Sequence, residues 1–324
     1  MKKRKKILLP SIFIIGLLTI SIYIYYSFYN KENVEEKKEE ILVNNYNKEN
    51  KEESFNKDKE IVENKEENNK EEKREEVKKE KTEGSKEIKD NNMSNKKNSW
   101  YFISKGDGQA PTPPKESEGY LSKNQGVYLG DKDKKYIYLT FDEGYENGYS
   151  SKILDILKRN NVKAAFFVTK PYIKENKELV KRMVKEGHVV GNHSVTHRSM
   201  DDVVTKGVDE FKKEIYQVEE EYKSLIGKDM IKVFRPPMGN YSEKSLYYTK
   251  SLGYKSVFWS FAYGDYDVNK QPDKAYAKNH ILKNTHNGAI YLLHAISKTN
   301  LDILDDVIKE WKLRGYEFRS LEEL

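Results

Sequence analysis

Cysteine is absent from all 324 residues, which excludes disulfides and thiolate metal sites and leaves stability to the hydrophobic core. Also missing is any basic stripe interleaved with stacking aromatics, the pattern that accompanies nucleic-acid binding, so no nucleic-acid partner is expected. The formal net charge of +6 arises from 59 basic and 53 acidic residues, much of it mixed within one stretch, and selects no partner. From Asn30 to about Asn98 aromatics are scarce and no apolar periodicity is sustained, while Lys, Glu and Asn dominate. Such a segment cannot bury enough apolar surface to offset its ordering entropy, and 30–98 reads as a disordered, charge-extended linker.

Ahead of that linker, Lys2, Lys3, Arg4, Lys5 and Lys6 precede an uncharged, mostly apolar run from Ile7 to Tyr29. As a helix the run spans roughly 34 Å at about 1.5 Å per residue, enough for a hydrocarbon core of about 30 Å. It has no small-x-small cleavage pattern, so the expectation is an uncleaved transmembrane signal anchor over 7–29 with a cytoplasmic basic tail over 1–6. The chain is then expected to be membrane-anchored, with the membrane as a partner and everything beyond Asn30 extracytoplasmic. A lead-in segment over 99–134 precedes a globular domain over 135–324.

In that domain short β-rich runs alternate with amphipathic patterns. The strands expected are Tyr136 to Phe141, Ala164 to Thr169, His188 to Gly191, Lys232 to Phe234, Ser256 to Phe261, Ala289 to Leu293 and Tyr316 to Arg319. Between them helices are expected over Ser150 to Asn160, Lys177 to Glu186, Val208 to Ile226, Ser242 to Leu252, Ala275 to Thr285 and Leu301 to Arg314, several stopped by glycine. Strict alternation implies a parallel sheet covered by helices, and about seven such units suffice to curl it into a barrel. In such a barrel the chemistry sits at the C-terminal ends of the strands. Asp142, His193, Arg235, Asp265 and His294 each fall at or just beyond one of those ends.

His193 and His197, four residues apart, suit one metal ion if both rings point inward. The residue after His193 is Ser194, which excludes the HExxH protease pattern. Asp142 and Glu143 offer a third ligand and a base, although adjacent acids also serve as helix caps or solvated loop residues. Arg235, beside Pro236 and Pro237, suits holding a carboxylate ionised, and an ordinary ion pair is its plainer role. His294 ends an apolar strand as a candidate acid, or as a satisfied core histidine. Asp265 follows the Trp259 to Gly264 block and suits orienting His294 or pairing with Arg235. The aromatics of that block suit either core packing or stacking on a sugar face. His188, His280 and His286 receive no role.

Taken in order, Thr140 to Gly144, His193 to His197, Arg235 to Gly239, Trp259 to Asp267 and Leu292 to His294 resemble the five motifs of the polysaccharide deacetylases. This is the NodB-homology group, carbohydrate esterase family 4, whose fold is a distorted (β/α)7-type barrel. Within it, Tyr145 to Tyr149, Val257 to Ser260 and Gly288 to His294 look most like the peptidoglycan N-acetylmuramic acid deacetylases that make muramic δ-lactam in spore cortex. The resemblance implies Asp142 as general base, Arg235 as its partner, His294 as acid and Asp265 as the partner of the acid. It also implies His193, His197 and Glu143 as ligands of a divalent metal, zinc by expectation. The implied partner is a peptidoglycan strand, with an amidase acting beforehand, and the implied place is the cell-wall side or the intermembrane space of a forming spore. Two departures stand out: Glu143 where most relatives have Asp, and Met238 where many have Tyr. An N-acetylglucosamine deacetylase and a catalytically weak glycan-binding domain are the alternatives.

Overall fold

The computed structural model describes residues 93–324 apart from Asp107. Among these residues no helix is long and apolar enough to cross a membrane. The expected anchor at 7–29 lies outside the described residues, as do the basic tail and most of the linker. The expectation of a transmembrane helix ahead of the fold is corrected to this extent: the described residues hold no such helix, and they give no support to the membrane partner or to the membrane-anchored, extracytoplasmic placement. The longest described helix, Val208–Ile226, has 19 residues but is amphipathic, burying Phe211, Ile215 and Val218 on one side and exposing charge on the other.

Strand β1 is Asn98–Ser99, β2 Gly126–Val127, β3 Tyr136–Glu143, β4 Ala165–Val168, β5 Val189–Asn192, β6 Val233–Phe234, β7 Asn240–Tyr241, β8 Lys255–Val257, β9 Ala289–His294 and β10 Glu317–Phe318. The helices are α1 Ser150–Arg159, α2 Lys170–Glu175, α3 Lys177–Lys185, α4 Met200–Val204, α5 Val208–Ile226, α6 Glu243–Ser251, α7 Lys274–Lys283 and α8 Lys298–Leu313. The main sheet runs β10-β3-β4-β5-β6-β8-β2, with β9 also on β3, and every pairing is parallel. Closure is irregular. Beyond β8 the chain loses regular strand form, and isolated bridges, Phe261 with Tyr291 and Leu129 with Ala289, carry the ring on to β9. There Leu292 donates to the Phe261 carbonyl at 2.9 Å. The domain is thus a distorted parallel β/α barrel.

Alternation along β3 separates two apolar layers. Ile137, Leu139 and Phe141 join the cluster under the helices, with Phe166, Leu304 and Trp311. Tyr138 faces the other way and packs inside the barrel with Phe167, Val233, Val257 and Ile290, drawn from β4, β6, β8 and β9. Seven of the eight β3 residues are buried, so the strand is central on both faces, as parallel strands are. The period of two sends Thr140 and Asp142 inward and Glu143 toward the helices.

Sequence periodicity located most of the longer elements to within a residue or two; the strand expected over Ser256 to Phe261 ends at Val257, and the helix expected from Leu301 begins at Lys298. It gave no warning of α2, α4, β1, β2 or β7, which are six residues long or fewer. The chain is already ordered at 93–98, within the stretch assigned to the linker: Asn95 contacts the Ser242 hydroxyl and β1 pairs antiparallel with β7. Just after β1, Trp100 stacks on Phe258 at 4.3 Å, donates from its ring nitrogen to the Trp259 carbonyl and from its backbone to the Gly239 carbonyl. Gly239 is required there. A Cβ at that position would lie 2.7 Å from the Trp259 ring, and its φ of +67° is left-handed.

Candidate active site

Asp142 and His294 are register partners on the adjacent strands β3 and β9, so two strand ends deliver them side by side. Arg235, just past β6, is fully buried and reaches across the barrel. Its Nη1 donates to Asp142 Oδ1 at 2.8 Å and to Thr140 Oγ1 at 2.7 Å, while Nε donates to the Val257 carbonyl at 3.1 Å. The guanidinium lies 4.2 Å from the Phe167 ring centre. Burial alone would raise the Asp142 pKa, but Arg235, with His193 and His294, holds it below the usual carboxylate range.

His193 points its Nδ1 at the Arg235 carbonyl, 2.9 Å away, which makes that nitrogen the donor. Its Nε2 is then a free lone pair facing Asp142 Oδ2 at 3.5 Å. Burial pushes this imidazole down to about 4, so it is neutral at physiological pH. The His197 ring stands edge-on to it at 4.8 Å. Both rings belong to a loop with left-handed backbone at two non-glycine residues, Ser194 (φ 69°) and His197 (φ 54°). Asn192 Oδ1 accepts from Ser194 N and Ser194 Oγ from His197 N, at 2.9 and 3.0 Å. Beneath the loop, buried Glu214 of α5 accepts from the backbone of Val195 (3.0 Å) and Thr196 (2.9 Å), from the Thr196 hydroxyl (2.6 Å) and from Arg198 (2.8 Å). Sequence reasoning missed Glu214. The available signal was a glutamate inside the apolar stripe formed by Phe211, Ile215, Val218 and Tyr222.

His294 is clamped by Asp265, which is fully buried. Oδ1 takes the ring Nδ1–H at 2.7 Å and Oδ2 takes the backbone N–H of His294 at 2.8 Å. Nε2 is left for the cleft. Burial would lower the pKa of this ring, but the Asp265 carboxylate in contact, with Asp142 beyond, holds it above the usual histidine value. A cleft of about 780 Å³ opens over Asp142, His193, His197 and His294. Tyr145, Met238 and Tyr266 line it with exposed side chains, and Trp259 and Tyr263 also reach it. Met238 itself has φ 58°. His188, His280 and His286 do not line it.

Glu143 is placed elsewhere. Fully buried on the helix side of β3, it sits 3.2 Å from Ser150 Oγ, which is in close contact with Glu146 Oε2, and Tyr172 OH is 3.3 Å from both Ser150 Oγ and Glu146 Oε2. Burial first, then the nearby Glu146 carboxylate, pushes its pKa well above the usual range. Hydrogen counting agrees: the single Ser150 hydroxyl proton serves one of the two carboxyls, and a protonated Glu143 can donate to Ser150 Oγ while Ser150 donates to Glu146. Among the described residues no group of three or more His, Cys, Asp and Glu is placed to hold a metal ion. The two imidazoles have the chemistry of ligands, but the third side chain expected from the sequence turns away from them. The family is generally metal-dependent; here the expected three-residue ligand set does not fit.

The sequence profile described as polysaccharide deacetylase matches residues 129–257. The peptidoglycan-N-acetylmuramic acid deacetylase PdaA of Bacillus subtilis is 44% identical over 226 residues, covering 70% of this chain and 85% of the relative. This chain belongs to the polysaccharide deacetylases. An uncharacterised 30.6 kDa protein of Geobacillus stearothermophilus is 48% identical over 232 residues, 72% of this chain and 86% of that protein. The solved structure of Bacillus subtilis PdaA, titled a family 4 carbohydrate esterase, superposes with a TM-score of 0.68 at 43% identity, covering 71% of this chain and 97% of that one. Membership makes the protein a deacetylase acting on an amide-bearing polysaccharide.

Proposed function

We propose that this protein removes the acetyl group from N-acetylmuramic acid in peptidoglycan strands, on the route to the muramic δ-lactam of spore cortex and after an amidase has removed the stem peptides. The observation that carries the chemistry is the pairing, on adjacent strand ends, of a carboxylate kept ionised by Arg235 with an imidazole kept protonatable by Asp265. Choice of the sugar is supported by similarity to the Bacillus subtilis enzyme whose name gives that substrate.

With the N-acetyl group lying between the two side chains, Asp142 takes a proton from a water as it attacks the acetyl carbonyl. His294 then gives its Nε2 proton to the amide nitrogen as the C–N bond breaks. Acetic acid, which gives up its proton to solvent to become acetate, and a free amine leave; Asp142 carries one proton more and His294 one fewer, and exchange with solvent restores both. Asp142 below the ordinary carboxylate range is a weak base but always in its basic form near neutrality, and an elevated His294 is available as the acid at the same pH. Because the expected ligand set is incomplete, no step is assigned to a metal. Exposed Tyr145 and Tyr266 give the cleft aromatic faces of the kind that pack on sugar rings.

The test is acetate release from intact peptidoglycan and from peptidoglycan stripped of stem peptides, with the product sugars identified by mass spectrometry. Release from muramic residues of stripped glycan is expected. Release confined to glucosamine residues would replace the sugar assignment, and glycan binding without acetate release would make this a binding domain.

A further inference from the structure

Asp265 has a second buried partner that motif matching does not show. Asn300 lies in the first turn of α8, placed by Ser297, whose hydroxyl caps the helix by accepting from Asn300 N at 3.1 Å. The Asn300 side chain is 1% exposed. Its Nδ2 donates to Asp265 Oδ2 at 2.5 Å and to the His294 carbonyl at 3.1 Å, while Tyr263 OH donates to its Oδ1. Two acceptors on one side and a hydroxyl donor on the other fix which way the amide faces. Gln271 ties the same turn to the Asp265 loop, accepting from Ser297 Oγ at 2.6 Å and donating to the Asp265 carbonyl at 3.1 Å.

We infer that Asn300 is a positioning residue that tunes the proton affinity of His294 through Asp265. The inference rests on the proposed role of His294 as acid. A carboxylate that already accepts from an amide holds an imidazolium N–H less tightly, and a catalytic acid works best when its pKa lies near the working pH. Remove the amide, and Asp265 keeps only the His294 backbone and ring as donors. Its hold on the imidazolium strengthens, and the proton is released to the departing amine more slowly. Tyr263 in turn keeps the amide from flipping its oxygen toward Asp265. The other charged or titratable groups near the ring are Asp142, Arg235 and His197, with Tyr266 edge-on at 6.0 Å. Asn300 hydrogen-bonds to none of these groups, so its replacement acts through Asp265 and the His294 backbone carbonyl and not through the cleft side of the ring.

The experiment compares the full chain with Asn300→Leu and Tyr263→Phe. The His294 ring is titrated by NMR, its signal identified by loss in His294→Asn, and kcat for acetate release from soluble stem-peptide-free peptidoglycan fragments is followed against pH. Expected in Asn300→Leu are a rise in ring pKa on the order of 0.5–1 pH unit, an equal upward move of the alkaline limb of kcat, and a plateau lower by about tenfold with KM within about twofold. Tyr263→Phe shows the same changes, smaller. A folded Asn300→Leu or Tyr263→Phe protein whose ring titrates as in the parent overturns the inference. A ring pKa that moves while the rate profile stays, or His294→Asn retaining full kcat, instead overturns the assignment of His294 as acid and leaves the coupling standing.

Discussion

Replacing Arg235 by Met removes the guanidinium that organises the cleft while keeping an apolar chain between Phe167 and Trp259. Three acceptors lose their donor: Asp142 Oδ1, Thr140 Oγ1 and the Val257 carbonyl. Breaking a buried ion pair from one side costs about 3–5 kcal/mol, because the remaining charge stays uncompensated. At about 2–4 °C per kcal/mol for a domain of this size, Tm falls by about 6–20 °C. The pH dependence should also invert. With Arg235 present, the folded Asp142 pKa lies below the unfolded value of about 3.9, so its stabilising contribution is present above that pH and is lost as pH falls through the folded value. Without Arg235, burial dominates and the folded pKa lies above the unfolded one. The contribution is then present at low pH and is lost as pH rises through the folded value. Urea denaturation of Arg235→Met and Arg235→Lys between pH 3 and 8, with the acidic limb of kcat/KM followed in parallel, reads both effects. The limb should move up strongly in the Met variant and less in the Lys variant, which keeps charge but not the fork. A Met variant within 1 kcal/mol of the parent at every pH, with its acidic limb unmoved, would refute the reasoning.

Three other substitutions test neighbouring parts of the site. Glu143→Gln, which mimics a protonated carboxyl, should change stability by less than about 1 kcal/mol and leave zinc affinity measured by calorimetry within about threefold; a tenfold weaker zinc complex would restore Glu143 as a ligand. Glu214→Ala removes the carboxylate that four donors of the histidine loop share, leaving Val195 N the residue-214 carbonyl and Arg198 the Glu210 carboxylate, and should cost about 2–4 kcal/mol in urea denaturation and lower kcat with little change in far-UV circular dichroism. Unchanged kcat would show that the strained loop holds itself. Trp100→Ala should cost about 3–5 kcal/mol and raise KM more than it lowers kcat, since Trp100 braces both Gly239 and Trp259; steady-state kinetics on soluble glycan fragments separates the two.

The candidate residues at strand ends were legible in the sequence, because strand ends were legible. Asp142, His193, Arg235 and His294 each follow an apolar run, and the parallel barrel brings such ends to one rim. Their supports were not legible. Glu214 and Asn300 act from helices tens of residues or one turn away, through hydrogen bonds that depend on how α5 and α8 dock. The barrel closure was obscured for a related reason: after Val257 the chain bends away from regular strand form to place Trp259, Tyr263 and Asp265 at the cleft, so a single bridge at Phe261 stands where a strand was expected. The lead-in over 99–134 received no structural role, since two-residue strands carry no periodicity, yet Trp100 packs against Phe258 beside the site.

The two adjacent acids show best how backbone geometry outweighs composition. Read as a pair, Asp142 and Glu143 offer a base and a metal ligand at one place. Inside a regular strand they cannot share a place, because consecutive side chains leave on opposite faces. β3 stays regular through Glu143, pairing Asp142 with Phe167 and Glu143 with Val168 of β4. Asp142 therefore meets Arg235 inside the barrel and is held ionised, whereas Glu143 meets Ser150 and Tyr172 among the helices, where burial favours its neutral form. Two adjacent carboxyls are thus driven in opposite directions of proton affinity by their surroundings alone. The same geometry says what would bring Glu143 to the imidazoles: β3 would have to break its pairing with β4 at Val168. That rearrangement would expose a buried carboxyl and free the Ser150 hydroxyl, so it predicts fast amide exchange at the end of β4. Protection there comparable to the middle of the strand, with and without added zinc, is what the observed register requires.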